Sequence, residues 1–223
     1  GGPLAVQPKA GGGYYVWTML GPEVARYDST TSAWTVLEKV DGNPSHLIGN
    51  NLTDSAGNTW MYRYTNATMN EIRLDLRRPN GTWVNTPLAP FDVPFNSAQG
   101  LRAIAPNQAL VIDGGGTAYR FNGTNWISLG WWQNTSWNYD IDQDANGNVW
   151  VCGLGGAARR DASTGLWQRY RITNTSQFDS FNNDLTLGSD GTMYAAANAG
   201  PGYGGMVKFD GLRWTGFNNY HYG

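Results

Sequence analysis

Between Asn138 and Tyr170 short runs rich in apolar, aromatic and β-branched residues alternate with clusters of Gly, Asn, Asp, Ser and Thr: NYDIDQDANGNVWVCGLGGAARRDASTGLWQRY. Runs of this length bounded by turn residues predict strands, here at 139–143, 148–153, 157–161 and 166–170. Asp-Ala-Asn-Gly, Leu-Gly-Gly and Ala-Ser-Thr-Gly lie between them. Gly accepts a positive φ, and Asn and Asp hydrogen-bond the local backbone, so each is a turn by its chemistry. Four antiparallel strands joined this way make one meander, which cannot bury both its faces alone and needs copies of itself.

The copies are present. The Trp that opens the last strand, Trp167, recurs as Trp34 in TSAWTVL, Trp83 in NGTWVNT, Trp126 in GTNWISL and Trp214 in GLRWTGF, and all five are expected as packing residues of the blades. Upstream of each lies a strand that ends in a turn residue: Arg26-Tyr27-Asp28, Leu76-Arg77-Arg78 before Pro79-Asn80-Gly81, Tyr119-Arg120-Phe121-Asn122, Arg159-Arg160-Asp161 and Lys208-Phe209-Asp210. The preceding strand repeats as Tyr15-Val16-Trp17, Thr59-Trp60-Met61, Leu110-Val111-Ile112, Val149-Trp150-Val151 and Met193-Tyr194-Ala195. A drifting period in the forties with four strands per unit predicts an all-β protein, a β-propeller of five blades with four antiparallel strands each. The blades fall roughly at 1–40, 46–88, 101–129, 138–172 and 181–222, one domain over residues 1–223. Blade two is the most degenerate copy, with 47–53 as its innermost strand. Blade one opens on a weak strand at 4–7, flanked by prolines and followed by Gly11–Gly13.

Residues 144–161, DANGNVWVCGLGGAARRD, resemble the repeats of two-component-regulator-type propellers, which run D-x-N-G-x-hydrophobic-W-hydrophobic, then a Gly pair, then an aromatic or basic strand. Residues 53–60, TDSAGNTW, are similar to the Asp-box turn of sialidase-type propellers, with Ser55 at the expected Asp position. The resemblance implies the fold and a bacterial extracytoplasmic compartment. It carries no catalytic residue, because the repeat is structural. It also implies a sensor role, with these blades as a segment of a larger receptor.

Composition narrows the classes further. Only 14% of residues are charged and the net charge is −2, so no electrostatic footprint for nucleic acid or an anionic membrane is present. No run approaches 18 apolar residues, so no helix is expected to insert in a membrane. Cys152 is the single cysteine and falls on a predicted buried strand, where it reads as a small apolar residue. The chain begins Gly-Gly-Pro without Met, as a mature or trimmed form does. N-x-S/T sequons at Asn51, Asn66, Asn80, Asn122, Asn134 and Asn174 would suit glycosylation. The expected location is extracellular or on the cell surface.

Candidate chemistry is sparse. Asp142, Asp144 and Asn146 followed by Gly147 match the first half of a calcium loop, but the twelfth position is Gly153 rather than a bidentate Glu. The same residues make the hairpin turn that the repeat needs, and no other cofactor is suggested. Trp131, Trp132 and Trp137 lie outside the repeat, between blades three and four, and Tyr203 lies in a long Gly-rich connection. Such rings suit a sugar platform, a protein interface or packing over a blade edge. Catalysis finds no pattern: His46 and His221 are far apart, and Glu23, Glu38 and Glu71 form no pair. Leu4, Ala5 and Val6 at one end, with Tyr220 and Tyr222 at the other, are candidate assembly residues, because a thin terminal strand is readily exchanged between blades or chains. The function expected is a non-catalytic interaction module that binds protein partners, copies of itself first. A glycan-binding propeller and a ligand-sensing receptor fragment are the alternatives.

Overall fold

The computed structural model describes residues 5–9, 11–20, 23–39, 46–47, 53–64, 72–80, 82–90, 100–113, 115–131, 138–153, 156–170, 180–198 and 204–218. They form five four-stranded antiparallel sheets. Sheet one holds β1 (Ala5–Pro8), β2 (Tyr14–Leu20), β3 (Glu23–Asp28) and β4 (Ala33–Lys39). Sheet two holds β5 (His46–Leu47), β6 (Thr59–Tyr64), β7 (Ile72–Arg77) and β8 (Trp83–Leu88). Sheet three holds β9 (Leu101–Ala105), β10 (Gln108–Ile112), β11 (Thr117–Phe121) and β12 (Trp126–Trp131). Sheet four holds β13 (Asn138–Gln143), β14 (Val149–Gly153), β15 (Gly156–Arg160) and β16 (Trp167–Tyr170). Sheet five holds β17 (Ser180–Leu187), β18 (Met193–Asn198), β19 (Gly204–Phe209) and β20 (Trp214–Asn218). In each, strands pair in chain order, as the meander predicts.

The boundaries expected for sheet four shift by one residue at most. Blade two differs more. Its innermost strand is the two-residue β5, paired as His46↔Arg63 and Leu47↔Tyr62, with a single further bridge at Thr53↔Thr59. In blade one, β1 pairs with β2 of its own chain from Ala5↔Trp17 to Pro8↔Tyr14. The N-terminal strand therefore completes the first sheet of this chain rather than the fifth.

One turn geometry recurs. The first residue's N–H donates to the carbonyl of the fifth, and the fourth residue's N–H donates back to the carbonyl of the first. It occurs at 9–13, 54–58, 144–148 and 188–192 between first and second strands, and at 113–117 between β10 and β11. The fourth residue is Gly each time, at φ between 78° and 103°, a region that costs an L-residue about 1–2 kcal/mol. Asp54 and Asp144 brace the two most complete copies in the same way. Oδ1 of Asp144 accepts from the N–H of Asn146 and Asn148, and Oδ2 accepts from Asn148 Nδ2 and, at 3.1 Å, from Trp150 Nε1. Asp54 does the same with Ala56, Asn58 and Trp60. The sequence D-x-x-G-N-x-W thus sets the turn and holds the indole of the following strand.

A second turn recurs between third and fourth strands. Asn122, Asp161 and Asp210 each offer Oδ1 to the N–H groups two and three residues on, and Asp28 and Asn80 to the N–H two on. This is the turn residue that closes the third-strand motif in every blade, supplied in the second by Asn80 of Pro79-Asn80-Gly81.

The contacts cluster in two compact units, one of 1–95, 101–109 and 121–126, the other of 96–100, 110–120 and 127–223. In the first, Trp60 is buried and meets Phe121 edge-on at 6.1 Å, and Leu74, Leu76 and Leu101 are buried. In the second, Trp150, Cys152, Ala157, Leu185, Met193, Ala195, Val207 and Phe209 form one apolar cluster. The Trp150 ring stacks on Tyr170 at 5.7 Å. Cys152 is buried and free, the small apolar residue expected. Asp140, fully buried, clasps two first strands: its Oδ2 accepts from the Leu185 N–H at 2.9 Å. Both residues lie at register shifts, in β13 and β17 respectively, where the ladder leaves a donor free for a side chain.

Candidate functional site

Of the aromatic candidates, Trp131 is described. It ends β12, is 48% exposed, and its Nε1 donates to the Gly115 carbonyl at 2.7 Å. The polar edge is thereby held and a large part of the ring is left to solvent. Trp132, Trp137 and Tyr203 lie outside the described residues, as do Leu4, Tyr220 and Tyr222. Ala5 and Val6 lie on β1, an edge strand of its sheet, with Val6 64% exposed.

The calcium candidates behave as turn residues. Both oxygens of Asp144 face N–H donors, and Asp142 Oδ1 accepts from the Gln143 N–H. The Asn146 side chain is exposed at the tip. Each N–H drawn onto a carboxylate oxygen occupies a lone pair that a cation would need. Ser55, where the Asp-box comparison expected a carboxylate, is exposed, and Asp54 beside it takes the bracing role.

The surface feature that sequence reasoning missed lies on the outermost strands. Trp34 and Val36 on β4, Leu88 on β8, Ile127 and Trp131 on β12, and Phe217 on β20 are all exposed apolar side chains on the fourth strand of a sheet. Trp34, expected as packing, rests on Tyr27 at 5.3 Å but is 55% exposed. It is a correction to that expectation, since a fourth strand has no neighbour beyond it in its own sheet. Trp126, Trp167 and Trp214 are half-buried. Leu166 and Leu212 project from the turns that lead into β16 and β20. The readable signal was Trp34-x-Val36, two apolar residues on one face of an outer strand.

The third strands carry a cationic series. Arg26 lies over the rings of Tyr15 at 4.4 Å and Trp17 at 5.9 Å, Arg159 over Trp150 at 5.8 Å, and Lys208 over Tyr194 at 6.0 Å. Each is a cross-strand pair with the second strand, Trp17↔Arg26, Trp150↔Arg159 and Tyr194↔Lys208, and such pairs are worth about 0.5–1 kcal/mol at half-exposed sites. Nε of Arg26, Arg73, Arg77, Arg120 and Arg159 is buried without a hydrogen-bond partner.

Carboxylates are engaged locally. Lys9 Nζ reaches Asp28 Oδ2 at 2.7 Å, and this bond, with those from Thr30, holds the Asp28 carboxyl well below the usual range. Hydrogen bonds from Ser163 and Thr164 do the same to Asp161, those from Thr192 to Asp190, and those from Arg213 and Leu212 to Asp210. Burial instead pushes Asp113 up, against N–H donors at Thr117, Gly115 and Gly116.

No protein-family model matches the chain, and no curated protein matches it. Solved structures do. One is YCF48 bound to a D1 peptide, at 14% identity and a TM-score of 0.59, covering 90% of this chain and 62% of that one. A streptogramin B lyase aligns at 12% identity and 0.54, covering 97% and 82%. A GH74 xyloglucanase from Xanthomonas campestris aligns at 15% identity and 0.63, covering 96% of this chain and 37% of that one. The chain thus spans less than two thirds of the YCF48 and xyloglucanase structures. At such identities the likeness carries fold and nothing more: the five sheets are propeller blades.

Proposed function

We propose that this protein is a non-catalytic propeller of the cell surface or extracellular space that works by contact with other protein chains, copies of itself first. The observation that carries the reading is the placement of exposed apolar residues on fourth strands, Trp34, Val36, Leu88, Ile127 and Phe217. Trp34 and Val36, two residues apart on β4, share one face of that strand, and large apolar side chains exposed side by side suit an association surface. The carboxylates support the non-catalytic part: Asp54, Asp144, Asp161 and Asp210 are bound to turn N–H groups rather than aimed at a common point. The sequence of residues 144–161 supports grouping the blades with two-component-regulator-type repeats and their extracytoplasmic compartment.

Trp131 favours a second reading, a glycan platform, because its tethered indole presents a preset ring face at little entropic cost. The two are separated by mass photometry over a dilution series, with negative-stain microscopy of the concentrated sample. Oligomers or filaments that grow with concentration, and shrink in a Trp34→Ser/Val36→Ser variant, support self-contact. A monomer at every concentration that binds an oligosaccharide through Trp131 supports the second reading.

A further inference from the structure

Three Asn-Gly pairs occur in the chain, at 80–81, 122–123 and 146–147, and all three Asn residues are exposed in turns between strands. The pair has a chemistry of its own. A glycine has no Cβ to shield its backbone nitrogen, so that nitrogen can reach the side-chain amide carbon of the Asn before it and close a five-membered imide. Ring closure asks three things of the structure: a glycine N–H free to lose its proton, an amide carbonyl polarised by donors, and an amide nitrogen free to leave.

Asn122 meets all three. Its Oδ1 accepts from the Thr124 N–H at 3.0 Å and from the Asn125 N–H at 2.8 Å. Two donors thus converge on the oxygen where negative charge develops as the amide carbon becomes tetrahedral, the arrangement of an oxyanion hole. Among the described residues the Gly123 N–H donates to no acceptor, and Asn122 Nδ2 makes no hydrogen bond. The other two pairs fall short. The Gly147 N–H is tied to the Asp144 carbonyl at 2.9 Å, and among the described residues no N–H donates to Asn146 Oδ1. Asn80 Oδ1 accepts one N–H, from Thr82 at 3.0 Å.

We infer that Asn122–Gly123, in the turn between β11 and β12, is a self-modification site at which the folded turn promotes loss of the Asn122 amide, with water as co-reactant. Solvent base takes the Gly123 amide proton, and the nitrogen bonds to Asn122 Cγ. The Cγ–Nδ2 bond breaks, and ammonia leaves with a proton from water. A second water opens the imide. Cleavage between Cγ and the Gly123 nitrogen leaves an aspartate; cleavage at the main-chain carbonyl leaves an isoaspartate. Nothing is oxidised or reduced. The aspartate is a form this fold already uses, because Asp161 and Asp210 hold the same turn in blades four and five through the same pair of N–H donors. The isoaspartate lengthens the main chain by one carbon inside a turn closed by the Asn122 N–H on the Asn125 carbonyl at 3.1 Å. The site is independent of the self-contact reading.

The test is incubation of the folded protein at mildly alkaline pH beside the same protein in urea, with peptide mapping that separates the amide, aspartate and isoaspartate forms at each of the three pairs. Promotion by the turn predicts that Asn122 in the folded protein converts about tenfold or more faster than Asn146, the effect of two oxyanion donors discounted for an exposed site, with Asn80 between them. In urea the three rates converge, because the reacting pair is the same and the turns are gone. Asn122→Asp is expected to melt with the wild type, since the same turn is held by Asp in blades four and five. A folded-state ratio of Asn122 to Asn146 below about tenfold overturns the site. So does a ratio that persists unchanged in urea, which places the preference in the neighbouring residues and not in the turn. An Asn122→Asp protein that melts well below the wild type overturns the claim that the turn accepts its product.

Discussion

Asp54 and Asp144 show how much one side chain organises in this chain. Each accepts two backbone N–H groups, an Asn amide and a Trp indole, and Asp54 takes a further N–H from Asn107 at 3.2 Å. Truncating such a hub strands several donors at once. Asp54→Ala, buried, is expected to cost about 3 kcal/mol in chemical denaturation and the half-exposed Asp144→Ala about 2; equal, sub-kilocalorie losses would contradict the role. The turn was legible at both positions because D-x-x-G-N-x-W spells it. The indole bond was not, since it depends on where the next strand places a ring. The calcium reading arose from the same letters and has no means of seeing that the oxygens face N–H donors. Four other carboxyls give an acid signature. Asp28, Asp161, Asp190 and Asp210 are held low in the folded protein, so their contribution is present above the unfolded value of about 4 and is lost as pH falls through and below it. Asp113, held high by burial, opposes this, binding its proton more readily folded than unfolded. Denaturation curves are expected to hold steady from pH 7 to 5 and to weaken below about 4, with a shallower fall in Asp161→Asn.

The elements follow the meander pattern because turn chemistry and strand runs agree at most hairpins. Where they disagree the sequence misleads: blade two's first strand shrinks to β5 and a single bridge at Thr53. The register shifts in β13 and β17 were equally silent, since nothing in Tyr139-Asp140 or in Phe181–Leu185 marks a clasp made across two blades. Close approach at strand starts gives a sharper prediction. Gly100 precedes β9 at φ +110°, and a Cβ there would stand 2.8 Å from Ile112 Cγ2 and 3.3 Å from the Asp140 Cα. Gly191 has φ +82° with open space around it. Gly191→Ala is expected to cost about 1–2 kcal/mol, the backbone term alone. Gly100→Ala adds overpacking for a total of about 3 kcal/mol or more. Equal melting shifts for the two would refute this difference in crowding.

At the level of the whole molecule, composition and the Trp period carried the five-blade fold, and the solved structures agree with it at 12–15% identity. What the molecule presents to others was less legible, because exposure on an outer strand depends on what packs beyond it. Fourth-strand residues scattered through the sequence stand as a second candidate contact surface beside the assembly residues expected at the termini. Hydrogen exchange at low and high protein concentration tests that claim most directly. Self-contact through the outer strands predicts concentration-dependent slowing at amides of β4, β8, β12 and β20, with β9, β10 and β14 unchanged. Exchange that is identical at both concentrations, or slowing confined to β1, would contradict it.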